Sequence, residues 1–115
     1  SMFQLKSSKM LPKKKRVTKK DFDVLIKNGK VFSSHLFLFY FIKTNEPKFG
    51  VVAPKKTFKK AFLRNKYRRI VYNILKDADL KAGSGLFMYK KQSFLPEKNQ
   101  IKEEVLFLLN KNNLI

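Results

Sequence analysis

A dense cluster of basic side chains is the feature of this sequence that most directly suggests chemistry. Residues 55–69 contain eight Lys or Arg residues and no Asp or Glu, and three of the four arginines of the chain lie here. Like charges one helical turn apart destabilise a helix, so a segment this basic indicates an anionic partner. Arginine grips phosphate through paired hydrogen bonds, and a neighbouring asparagine can bind a base or a 2′-hydroxyl. The candidate phosphate-binding residues are Lys59, Lys60, Arg64, Asn65, Lys66, Arg68 and Arg69.

The alternative is a basic face that is simply solvated. The absence of acids and the clustering of arginines favour phosphate binding over that alternative. On a helical wheel, Arg64 and Arg68 form one column that Tyr72 extends, and Asn65 and Arg69 form the adjacent column.

A second basic cluster, residues 13–16, leads through Lys19 and Lys20 towards the first predicted helix. Its sequence is similar to a short nuclear-localisation signal, but such runs arise readily in a lysine-rich chain. A phosphate-binding arm is the better interpretation.

Aromatic residues next to lysines suggest a site for a single strand. Most phenylalanines are expected in the core, with Phe37, Phe39 and Phe41 on one face of a strand. If a helix leaves a groove against the sheet, Phe22 and Tyr40 beside Lys19 and Lys90 would line it. Aromatic faces stack on bases while lysines follow the backbone.

No catalytic site is predicted on this chain. His35 is the only histidine, there is no cysteine, and the eight acids are scattered. No residues have the spacing of metal ligands, a nucleophile–base pair or a phosphate-binding glycine loop. We therefore predict neither catalytic residues nor a metal site here.

Composition places these residues on one folded, strongly basic domain. The 115 residues include 27 Lys plus Arg and 8 Asp plus Glu, a net charge of +19, with 43% hydrophobic and 14% aromatic residues. That balance argues against a disordered polycation and points to a phosphate backbone or an anionic membrane surface. The longest apolar run, residues 36–42, is too short to span a membrane, and no signal peptide is recognised, so a cytoplasmic location is expected. We predict a mobile arm over residues 1–11, with Ser1 a remnant of tag cleavage, and a single RNA-binding domain over residues 12–115.

The pattern of the chain predicts the elements that must position these residues. A helix begins at a capping box formed by Thr18 and Asp21 and ends near Gly29. Residues 31–44 are typical of strand, and residues 49–53 are predicted to return as the second arm of a hairpin after a turn at 45–48.

A second helix is predicted over residues 58–76 and a further strand over residues 86–91. A third helix is expected with Pro96 at its first position. The order α-β-β-β-α-β-α predicts an α/β (α+β) sandwich with a small four-stranded mixed sheet.

The block Arg64-Asn65-Lys66-Tyr67-Arg68-Arg69 resembles the signature of the bacterial ribonuclease P protein component. Further similarity lies in Arg16-Val17, in Lys19-Lys20-Asp21-Phe22, in Asn28-Gly29-Lys30, in Phe49-Gly50-Val51-Val52 followed by Lys55-Lys56, and in Lys90-Lys91. Block, spacing and element order together cover residues 12–112.

The resemblance implies a ribosomal-protein-like fold with a left-handed β-α-β crossover through the second helix. It implies a subunit of ribonuclease P that binds the catalytic RNA subunit and precursor tRNA, while the RNA subunit removes the 5′ leader with Mg²⁺. By position, Arg64, Asn65, Lys66, Arg68 and Arg69, with Lys59 and Lys60, would bind the RNA subunit. The leader groove would be lined by Lys19, Phe22, Ile26, Tyr40, Lys55 and Lys90.

Two other classes remain open at this point. A generic structured-RNA-binding or ribosome-associated module would use the same basic helix without a nuclease role. A peripheral membrane protein would need bulky apolar residues exposed on that helix, but its stripe is required for the core. No membrane association and no protein partner are predicted.

Overall fold

The structure is a computed structural model, and it describes residues 12–115. The expected mobile arm at residues 1–11 lies outside the described residues. After a 3₁₀ turn at Lys13–Lys15, the elements follow the expected order. They are α1 (Lys19–Asn28), β1 (Lys30–Ser33), β2 (Phe37–Ile42), β3 (Pro47–Val52), α2 (Ala61–Asp77), β4 (Gly83–Tyr89) and α3 (Lys98–Lys111).

The four strands form one mixed sheet in the order β1-β2-β4-β3, which confirms the predicted fold class. The predicted hairpin of β2 with the strand after it is wrong, because β4 lies between them. One edge of β2 pairs antiparallel with β1 and the other with β4. β3 instead pairs parallel with β4, to which α2 connects it. The central place of β4 follows from its composition, since six of its seven residues are buried.

One face of the sheet carries the main core. Phe37 and Phe39 are fully buried there, as the alternation predicted, and Phe41 packs at the margin of the same cluster. The Phe39 and Phe87 ring centroids are 4.5 Å apart. Gly85 makes this packing possible, because a methyl group there would meet the Phe39 ring at 2.5 Å. Helices α2 and α3 cover this face with Tyr67, Val71, Leu75, Ile101, Val105, Leu108 and Leu109.

The second face of the sheet is covered only in part. Helix α1 packs on β2 and β4 through the buried Leu25, and Val17 lies against Gly50 of β3. A cross-strand row at the other end of this face stays uncovered. Ser33 is opposite Leu38, Leu38 is opposite Met88, and Met88 is opposite Val52. None of these four side chains is buried, and we call them the open row.

Several element boundaries differ from the predictions. Residues 31–44 form two strands, β1 and β2, and β3 begins at Pro47, inside the predicted turn. Tertiary contacts decide three further boundaries. Helix α2 begins at Ala61, not at residue 58, because Phe58 is buried and stacks on Tyr67 with ring centroids 4.7 Å apart. Strand β4 spans Gly83–Tyr89, earlier than expected, because Gly83 pairs with Pro47 of β3. Helix α3 begins after Pro96, whose carbonyl oxygen accepts a hydrogen bond of 3.2 Å from the Tyr67 hydroxyl.

The predicted capping box is present at the start of α1 and fixes the helix against β3. The Asp21 carboxylate accepts hydrogen bonds from the Thr18 amide (3.0 Å) and hydroxyl (2.8 Å), and it lies 3.6 Å from the Lys48 ammonium. The Thr18 backbone hydrogen bond is the main cause that holds the pKa of Asp21 below its ordinary value of 3.8. A lowered pKa means that the ionised form stabilises the folded state.

We expect Asp21→Ala to lower the free energy of unfolding by about 1 kcal/mol at neutral pH. Because the pKa is lowered on folding, this contribution is present above pH 3.8 and is lost as the pH falls through the folded-state value. Urea unfolding between pH 7 and pH 2.5 measures it. Asp23→Ala, which removes an exposed acid from the same helix, is the control, and an equal effect of both variants at neutral pH would contradict the assignment.

Candidate nucleic-acid interface

Helix α2 separates its apolar and basic sides. Tyr67, Val71 and Leu75 are buried against the sheet, and Ile70 and Ile74 pack towards α3. With 100° per residue, the opposite side presents the three exposed residues Asn65, Lys66 and Arg69. Three of the seven predicted phosphate-binding residues therefore point directly into solvent from one surface.

Arg64 is half-buried and has a structural task as well. Its guanidinium donates hydrogen bonds to the carbonyl oxygens of Phe58 (2.9 Å) and Lys59 (3.0 Å). These bonds hold the segment before the helix, on which Lys59 and Lys60 are both exposed. The two lysines thus belong to the preceding loop, at the same end of the basic surface.

Arg68 lies on the flank of α2 that faces β3. Its guanidinium donates a hydrogen bond to the Asn65 side-chain oxygen, one helical turn earlier. Tyr72 follows one turn later and is mostly buried. The column of Arg64, Arg68 and Tyr72 on the helical wheel therefore runs from the loop before α2 to the outer edge of the sheet.

Phe62 is a residue of this surface that the sequence analysis missed. Its side chain is 63% exposed although phenylalanine usually is buried, and it lies on the outer side of α2 beside Lys66 and Arg69. An aromatic face between cations is typical of surfaces that stack on bases. The sequence could have indicated this exposure, because Phe62 lies 180° from the core residue Val71 on the helical wheel.

The candidate groove is the space between α1 and the open row, as the helix face and the strand register place them. On one flank of α1, Asp21 contacts Lys48, and Val24 lines a cavity of about 130 Å³ with Ser84. The opposite flank carries Lys19, Phe22 and Ile26, which follow one another at spacings of three and four residues. That flank therefore overhangs the open row, and the half-buried Tyr40 lies in the adjacent cross-strand row.

Lysines stand at the end of this groove where β3 and β4 both finish. The carboxyl ends of these parallel strands are adjacent, and the Thr57 hydroxyl donates a 3.5 Å hydrogen bond to the Lys90 carbonyl oxygen. Lys90 extends its ammonium group to the Ser33 hydroxyl of the open row, and Lys55 is exposed in the loop after β3. The six predicted groove residues thus surround one face of the sheet: three on α1, one on β2 and two beyond the strand ends.

The interface offers electrostatic and stacking contacts to a ligand. Between residues 12 and 115, no group of three or more His, Cys, Asp or Glu side chains is arranged to hold a metal ion. His35 is exposed just before β2. The exposed cations, Asn65 and the aromatic rings can neutralise phosphates, donate hydrogen bonds and contact bases.

Within the described part of the chain, no helix combines the length and apolar character that crossing a membrane requires.

Comparison with known proteins gives a family match along nearly the whole chain. The family model described as Ribonuclease P matches residues 11–113. A search of curated protein sequences found no significant match.

Three solved structures have similar folds. A Staphylococcus aureus RNase P protein mutant with defective mRNA degradation activity is 21% identical, with a TM-score of 0.79 over 99% of this chain and 98% of that one. The RNase P protein from Thermotoga maritima is 24% identical, with a TM-score of 0.71 over 81% and 92%. Its complex with 1-(4-fluorophenyl)-2-thiourea gives 26% identity and a TM-score of 0.69 over 79% and 92%.

Arg64 makes hydrogen bonds within the chain whereas Arg69 is exposed, and this contrast predicts different effects on stability without RNA. Arg64→Ala should lower the free energy of unfolding by about 1–2 kcal/mol, because the carbonyl oxygens of Phe58 and Lys59 lose their donor. Arg69→Ala, which removes the same charge from an exposed position, should change it by less than about 0.5 kcal/mol. Urea unfolding of the isolated chain compares them, and equal losses would refute the structural role of Arg64.

Proposed function

This chain belongs to the ribonuclease P protein family, and we propose that it is the protein subunit that assists removal of the 5′ leader from precursor tRNA. Membership makes it part of ribonuclease P. The finer proposal concerns what its two surfaces bind. The observation that carries it is the basic surface of residues 59–69, which include no acid, on a domain whose opposite sheet face carries the open row with lysines at its end.

We assign the catalytic RNA subunit to the basic surface of α2 and the loop before it. The exposed cations there can neutralise several phosphates at once, and each neutralised phosphate releases condensed counterions. Asn65 adds a hydrogen-bonding side chain, and Phe62 adds an aromatic face. A folded RNA offers phosphates, 2′-hydroxyls and unpaired bases together, which fits this mixture.

The single-stranded leader fits the groove between α1 and the open row. Phe22 and Tyr40 present aromatic faces, and Ile26 and the open row add apolar contact. Lys19, Lys55 and Lys90 can follow the backbone of the strand. Stacking of bases on apolar side chains and pairing of phosphates with lysines do not depend on the base sequence. Such contacts suit a leader whose sequence varies between precursors.

The chain contributes no reacting group in this proposal. Its described residues do not fit a metal site, so the Mg²⁺ that hydrolysis uses would be held by the RNA subunit and the substrate. The residues of α2 lower the electrostatic cost of folding and assembling the RNA, and those of the groove hold the leader in place. A cytoplasmic location accords with this role in tRNA maturation and is part of the proposal.

Reconstitution with a ribonuclease P RNA tests the proposal. At low Mg²⁺ the chain should increase the rate of leader cleavage, because bound cations of the protein replace part of the ionic screening. The double variant Arg68→Ala with Arg69→Ala should weaken assembly at least tenfold, through loss of two phosphate contacts.

The matched control is Lys98→Ala with Lys102→Ala, which removes two charges from α3. It should retain most of the stimulation. RNA binding without any stimulation of cleavage would instead support a generic structured-RNA-binding or ribosome-associated module. Sedimentation with anionic vesicles is not expected, because the apolar stripe of α2 is packed in the core and Phe62 is the single bulky apolar residue that this helix exposes.

A separate prediction concerns the groove. Tyr40→Leu keeps an apolar side chain but removes the aromatic face, so the holoenzyme should bind precursor tRNA roughly tenfold more weakly. Its affinity for mature tRNA, which has no leader, should not change. Phe107→Leu, at an exposed phenylalanine of α3, is the control. Equal losses for precursor and mature tRNA would exclude the groove as the leader site.

A further inference from the structure

Arg16 occupies an unusual position at the outer edge of the sheet. The segment before α1 runs parallel to β3, with a bridge from Arg16 to Phe49 and a 2.9 Å hydrogen bond from the Val17 amide to the Phe49 carbonyl oxygen. Paired residues direct their side chains to the same face of a sheet. Because Phe49 points into the core below α2, the Arg16 side chain lies on the α2 side, and Val17 lies on the α1 side against Gly50.

The Arg16 guanidinium has an unmet hydrogen-bonding capacity. Its Nε atom is buried and has no hydrogen-bond partner within residues 12–115. A buried donor without an acceptor costs free energy, so such groups commonly meet a water, an ion or a ligand.

Arg68 and Tyr72 converge on the same place from α2. Burial raises the pKa of Tyr72, while a hydrogen bond from the Val51 backbone and the charges of Arg16 and Arg68 oppose the rise. Tyr72 lies one turn after Arg68 on the flank of α2 that faces β3, and Arg16 lies on the same side of the sheet at the outer edge of β3. Arg68 is held by the Asn65 side chain, and within residues 12–115 no carboxylate forms an ion pair with either arginine.

Two guanidinium groups and a hydroxyl at one place, with the Arg16 Nε still lacking an acceptor, suit the binding of an oxyanion. Like charges held together in a partly buried place are unfavourable until an anion joins them, and arginine forks match the geometry of phosphate. The site lies at the outer edge of β3, beside the flank of α2 that carries Arg68. An RNA backbone that contacts α2 would reach it at the β3 edge.

We propose that Arg16, Arg68 and the Tyr72 hydroxyl together bind one phosphate group of the RNA subunit at the outer edge of β3. This assignment rests on the proposed function, since it takes the RNA on α2 as its source of phosphate. It gives Arg16, which lies outside the arginine-rich helix, a specific role in place of a general charge.

The isolated chain provides the first test. Titration with inorganic phosphate, followed through the arginine Nε–Hε signals in NMR spectra, should produce a saturable shift of the Arg16 signal. Arg68→Met should weaken that response severalfold, whereas Lys27→Met, which removes an exposed charge from α1, should not. No saturable shift at Arg16, or an equal shift at the exposed Arg69, would overturn the site.

The second test uses the ribonuclease P RNA. Arg16→Met should weaken binding about tenfold and lower the slope of log K against log salt by about one, as the loss of one phosphate contact predicts. Arg16→Lys, which keeps the charge but loses Nε, should recover only part of the affinity. Lys27→Met is again the control.

The outcomes separate this inference from the proposed function. If wild type binds the RNA and stimulates cleavage but Arg16→Met equals wild type, the inference fails alone. If wild type does not bind the RNA, the proposed function fails, while the phosphate titration still judges the site. Thermal unfolding without RNA guards against a misfolded variant, because Arg16→Met removes an unpaired buried donor and should not lower Tm.

Discussion

The packing of α2 on the aromatic face of the sheet is the interaction on which the rest of the structure depends. The Tyr89 hydroxyl donates a 2.8 Å hydrogen bond to the Tyr67 carbonyl oxygen, and the Tyr67 hydroxyl donates one to the Pro96 carbonyl oxygen just before α3. Phe58 stacks on the same ring. Because these contacts fix the rotation of α2 about its axis, they decide that Asn65, Lys66 and Arg69 face solvent.

That rotation also accounts for the distribution of charge. Helix α2 has four basic residues between positions 64 and 69 and no acid before Asp77, so these charges repel one another in the free protein. The core contacts hold them in place nevertheless, and in the proposed function the phosphates of the RNA would neutralise them. The candidate groove on the other face has a different cause. Helix α1 is only ten residues long, so it leaves the open row uncovered.

Local sequence signals predicted much of this arrangement. The capping box of Thr18 and Asp21, the stripe of α2 and the alternation of Phe37 and Phe39 each depend on residues close together in the chain, and all are confirmed. The family and the fold class are confirmed as well. The predicted partner of β3 was wrong, because whether β2 or β4 pairs with it depends on contacts between distant segments. Helices α2 and α3 begin later than predicted for the same reason, because Phe58 and Pro96 are buried by contacts with Tyr67. The hand of the crossover and the roles of the individual site residues stay predictions.

The central claim is that the two faces of one small sheet bind two different RNAs. Lysine acetylation of the chain, read by mass spectrometry, tests it directly in three states: free, bound to ribonuclease P RNA, and bound to that RNA with precursor tRNA. The account predicts that the RNA alone protects Lys59, Lys60 and Lys66, and that Lys19 gains protection only when a precursor with a leader is added. Protection of Lys19 by the RNA subunit alone, or of Lys98 and Lys102 in place of the α2 lysines, would contradict it.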